Sequence, residues 1–70
     1  MWFLNDKKTF VKFFSGDIEV SKYPYCITID GLTFYEAVST DDVDEEFNRL
    51  VRWLNDRPGE MFCFGEYGNE

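Results

Sequence analysis

The spacing of apolar and polar positions changes along the chain from a period near two to a helical one, and back again for a last short segment. From Ser39 to Gly59, in STDDVDEEFNRLVRWLNDRPG, the residues Val43, Phe47, Leu50, Val51 and Leu54 fall at i, i+4, i+7, i+8 and i+11. At about 100° per residue they line one side of a helix. Ser39, Thr40, Asp41 and Asp42 are acceptable N-caps, Asp42 and Glu45 have the spacing of a weak capping box, and Pro58-Gly59 closes the segment.

Before the helix the pattern is that of short strands. Met1 to Leu4, MWFL, reads as an edge strand or an N-terminal arm, followed by the polar turn Asn5-Asp6-Lys7-Lys8. Thr9 to Phe14, TFVKFF, is β-branched and aromatic, and Ser15-Gly16-Asp17 predicts a hairpin to a strand in which Ile18 and Val20 alternate with polar residues. Pro24, between Tyr23 and Tyr25, marks a bend or a strand start. Tyr25, Ile27 and Ile29 alternate with Cys26 and Thr28, and Asp30-Gly31 is a two-residue hairpin signal. The returning strand, Leu32 to Ala37, places Leu32 and Phe34 on one face and Thr33 and Tyr35 on the other. Beyond the helix, Met61 to Tyr67 gives a last strand in which Gly65 suggests a bulge or a close backbone approach, and Gly68-Asn69-Glu70 is expected to fray.

These elements predict one α+β domain over residues 1–70. Its expected form is an antiparallel sheet of four to five strands with one α-helix across one face, in the order β-β-β-β-α-β. A helix of about 14 residues is only about 21 Å long, so it leaves the second sheet face open. Yet TFVKFF carries Val11 and Phe13 on one side and Phe10 and Phe14 on the other, while MFCFGEY sets Met61 and Cys63 against Phe62 and Phe64. An uncovered aromatic sheet face that pairs with itself, in a structural or regulatory homodimer, is one reading of that excess. Trp53, at the border of the helix stripe, is a candidate anchor for a partner.

Composition narrows the chemistry. In 70 residues there are eight Phe, four Tyr and two Trp but no His, so the commonest general base and transition-metal ligand is missing. Cys26 and Cys63 lack metal-like or redox-like spacing and read as inert core thiols, neighbours in the sheet at most. No carboxylate falls in a predicted apolar pocket, and no glycine pattern suits a phosphate. A non-enzymatic chain without a cofactor or metal is expected. No apolar run approaches the roughly 20 residues of a membrane span, and a cytoplasmic protein with reduced thiols is expected.

Charge adds a partner class. Net charge is −7, and it is uneven: residues 1–24 hold four lysines against three acids, or +1, and residues 25–70 hold three arginines against 11 acids, or −8. Such a field repels nucleic acid and anionic membranes and attracts basic surfaces. The densest run, Asp41, Asp42, Asp44, Glu45 and Glu46, suits the positive end of the helix dipole and, read functionally, could meet the arginines of a partner. In size and charge the chain is similar to phage inhibitors of nucleic-acid machinery, anti-CRISPR proteins and DNA mimics among them, an analogy without a residue-level motif. The leading expectation is therefore an acidic interaction module that blocks a basic, nucleic-acid-binding surface of a larger protein. Its contacts would be Asp41, Asp42, Asp44, Glu45, Glu46 and Trp53.

Overall fold

The computed structural model describes residues 1–56 and 61–65. It is an α+β fold in the order β1 (Trp2–Leu4), β2 (Val11–Phe13), β3 (Val20–Lys22), β4 (Cys26–Ile29), β5 (Leu32–Glu36), α1 (Thr40–Asp56) and β6 (Met61–Cys63). The class agrees with the sequence reading, whereas the strand count and arrangement differ. Among the described residues, six strands form two three-stranded sheets, β2-β1-β6 and β3-β4-β5. The second is an antiparallel meander; in the first, β1 pairs antiparallel with β2 and parallel with β6. MWFL is thus a central strand and not an edge or an arm, because lying between two aromatic strands buries Phe3 completely. No hairpin joins β2 to β3: their partners are β1 and β4, and Ser15-Gly16-Asp17 carries the chain from one sheet to the other.

Local chemistry explains the turns. Asp30 and Gly31 both have positive φ, 51° and 86°, the pair a type I′ hairpin requires. The Asp30 N–H donates to the Glu19 carbonyl at 2.8 Å, and its Oδ1 accepts from the Glu19 N–H at 2.9 Å, tying β3 to the β4–β5 turn. Asn5, buried, organises the β1–β2 loop: its Oδ1 accepts from the N–H groups of Thr9 and Phe10 and its Nδ2 donates to Thr9 Oγ1.

Both Phe34 and Tyr35 are buried, although strict alternation would send one outward. The β4–β5 register steps from Ile27↔Tyr35 to Thr28↔Thr33, so Phe34 is a bulge residue and both rings reach the core. The bulge also joins the sheets. The Asp6 N–H donates to the Phe34 carbonyl at 2.8 Å, and Asp6 Oδ2 accepts from the Glu36 N–H at 2.9 Å.

The core is mostly aromatic. The Phe3 ring lies 5.8 Å from Phe14, 6.1 Å from Phe34 and 5.6 Å from Trp53, all near edge-on, an arrangement that suits the ring quadrupoles. The helix covers both sheets and not one. Its Trp53 meets Phe3 and Phe62 of the first sheet, and its Phe47 and Asp44 meet Lys22 of the second. Val43 and Leu50 are fully buried and Phe47 and Leu54 pack against the core, but Val51 is exposed and Glu46 takes the interior position instead. The Pro58-Gly59 stop and the Gly68–Glu70 tail lie outside the described residues.

Candidate interaction surfaces

The acidic start of α1 is divided by the fold. Asp41, Asp42 and Glu45 are exposed, with no ion-pair partner among the described residues. Asp44 is also exposed but sits 2.8 Å from Lys22 Nζ. Glu46 has no exposed surface at all, so it is corrected from a surface contact to an interior residue.

Glu46 is held by three donors. Arg49 Nε and Nη2 meet its two oxygens at 2.9 and 2.8 Å, and the Gly65 N–H reaches Oε2 at 2.7 Å. Arg49 also donates to the Cys63 carbonyl, and its guanidinium lies 4.3 Å from the centre of the Phe62 ring. A buried carboxylate is tolerated only when so paired. The cluster fastens α1 to the end of β6. Gly65 belongs to it through its backbone: φ is +78°, and a Cβ there would stand 3.3 Å from Asp6 Cβ. The close approach suggested by Gly65 is therefore present. The sequence sign for Glu46 was its place in the stripe, at i+3 from Val43 and four before Leu50, with Arg49 three residues on.

Trp53 lies at the edge of the core. Half-buried, with ring centres 5.6 Å from both Phe3 and Phe62, it packs against the core and leaves only part of its surface open. Cys26 and Cys63 are free thiols, each half-buried, and they lie in separate sheets and so are not neighbours in one. An open depression of about 340 Å³ along α1 is lined by Glu45, Asn48, Arg49 and Arg52. Among the described residues no three His, Cys, Asp or Glu side chains cluster as metal ligands, and the helix is not long and apolar enough to cross a membrane.

Among the described residues, the largest group of exposed apolar side chains on one face is on the outer side of β2-β1-β6. Residues paired across a sheet point the same way, so the register assigns Phe3, Lys12, Phe14 and Phe62 to the inner side. The outer side then carries Phe13, Trp2 and Met61 in one row and Val11, Leu4 and Cys63 in the next. Phe13 is 50% exposed, Val11 47%, Met61 45% and Trp2 44%, with Trp2 and Phe13 rings 5.0 Å apart. The other sheet contrasts with it: its outward positions are Ser21, Cys26, Thr28, Thr33 and Glu36, an ordinary solvated face. Alternation in the sequence had already grouped Val11 with Phe13 and Met61 with Cys63. It could not join the two pairs, because Trp2 and Leu4 lie between them only through the parallel pairing of β1 and β6.

Compared with known families, curated proteins and solved structures, the chain matches none.

Proposed function

We propose that this chain is a non-enzymatic protein–protein interaction module that works through the outer face of β2-β1-β6. One observation carries the reading: Phe13, Trp2, Met61, Val11 and Leu4 face outward on that sheet beside the Cys63 thiol, while the second sheet of the same molecule turns Ser21, Thr28, Thr33 and Glu36 outward beside Cys26. A strand that faces water normally alternates, and an apolar patch of several hundred Å² on a small domain commonly marks a contact. The test is binding of the neutral dye Nile red to the folded protein at low micromolar concentration. Phe13→Ser should cut the dye signal several-fold and leave the unfolding transition intact. A dye signal that the substitution does not change would overturn the reading.

A second reading keeps the basic partner surface expected from charge. It is favoured by Asp41, Asp42 and Glu45, exposed and without ion-pair partners among the described residues, and it no longer includes Glu46. Poly-L-lysine serves as the probe. The triple change to asparagine and glutamine should weaken its binding and flatten the salt dependence; unchanged salt dependence removes this reading.

A further inference from the structure

Resting on the sheet-face reading, we propose that the occupant of that face is a second copy of this chain. The two copies dock face to face about a twofold axis that runs midway between the two sheets, parallel to them, and crosses the strands at the level of Phe3. Register is the first argument. The row Phe13–Trp2–Met61 is large and the row Val11–Leu4–Cys63 is small, and Phe3 sits between Trp2 and Leu4 on the central strand. A twofold at that level lays the large row of each copy over the small row of the other. Phe13 then meets Val11, Trp2 meets Leu4 and Met61 meets Cys63, in both directions at once. Such self-complementarity is what an isologous contact requires, and large-on-small rows let two sheets interdigitate at about 10 Å.

Charge is the second argument. The six residues carry none, and the strands β1 and β2 belong to the part of the chain with net +1, while the remainder holds −8. The helix lies against the inner side of this sheet, through Trp53 on Phe3 and Phe62. Two copies meeting by their outer faces therefore keep both acidic helices on the far sides of the assembly, where their repulsion is weakest. Area is the third. The six side chains leave on the order of 400 Å² open, so two copies with their rims bury about 1,000 Å² in all, the low end of specific interfaces. Area alone does not set affinity, and an interface of this size is typical of weak, reversible association, to be sought at concentrations of about 10–100 μM.

Sedimentation equilibrium over a concentration series tests the proposal. Wild-type protein should pass from monomer to dimer across that range. Phe13→Lys and Val11→Lys, both on the exposed strand β2, should each weaken the dimer by about tenfold or more, since an unpaired ammonium would be buried. Thr33→Lys, on the outer face of the second sheet, should leave the dimer as it is. Thermal unfolding of every variant separates lost association from lost fold; should one lysine variant not fold, the other and the wild-type series decide. A wild-type chain that stays monomeric overturns the second copy, as does a dimer that Thr33→Lys breaks and Phe13→Lys spares. Nile red then tells which idea failed. Dye bound to that monomer and removed by Phe13→Ser leaves the docking face standing for an unlike partner, and no dye binding removes both.

Discussion

Glu46 is bound by Arg49 and by the Gly65 N–H, a three-way contact that ties α1 to the residues just beyond β6. Removing the cation should be worse than altering the anion. Arg49→Met strands a carboxylate that has no exposed surface, and breaking a buried pair in this way costs about 3–5 kcal/mol. Glu46→Gln keeps an acceptor for Gly65 and should cost less; urea unfolding followed by Trp fluorescence ranks the two. At Gly65 an alanine would need φ near +78° and would press on Asp6, so Gly65→Ala should lose about 1–3 kcal/mol in the same assay. Glu46 was hard to read from sequence for a physical reason. A stripe drawn from apolar residues alone runs through Val51, and an acid at an interior position looks like a face residue until its donors are known. Arg49 was near enough in sequence to suggest the pair, but Gly65 was brought there by β6.

Elements defined by neighbouring residues were the legible ones. The β4–β5 hairpin follows from Asp30-Gly31, whose positive φ values are a property of two residues. Asp30→Ala should destabilise by about 1–2 kcal/mol, through lost left-handed preference and a lost acceptor for the Glu19 N–H, while Asp30→Asn should be nearly neutral in thermal unfolding. The helix, too, was marked by its stripe and its acidic start, and Asp41 and Asp42 do lie in its first turn. Changing either to Asn should cost about 0.3–1 kcal/mol at low ionic strength and less as salt is added. What could not be read was which strands meet. β1 pairs with β6 from the other side of the helix, and β2 turns back to β1 and not on to β3, so one expected sheet became two. The Phe34 bulge was hidden for a similar reason, since alternation has no means of announcing an extra residue.

At the scale of the molecule, two sheets and one helix enclose a core of aromatic rings and leave a second, thinner apolar layer outside β2-β1-β6. The sequence excess of aromatics pointed to an open face, and alternation grouped its residues on β2 and β6 without telling which group faces the core. The acidic helix start, which looked the stronger surface in sequence, is reduced by an interior Glu46 and by the Lys22 contact of Asp44. If two copies share the apolar layer, its atoms must touch across the twofold. A sample mixing isotope-labelled and unlabelled chains, at concentrations where sedimentation finds dimer, reports such contacts directly as intermolecular NOEs. The Met61 methyl should show cross-peaks to Cys63 protons of the other copy, and the Leu4 methyls to its Trp2 ring. Intermolecular peaks arising instead from Val38, Val51 or the acidic turn of α1, with none from Met61 and Leu4, would contradict the account.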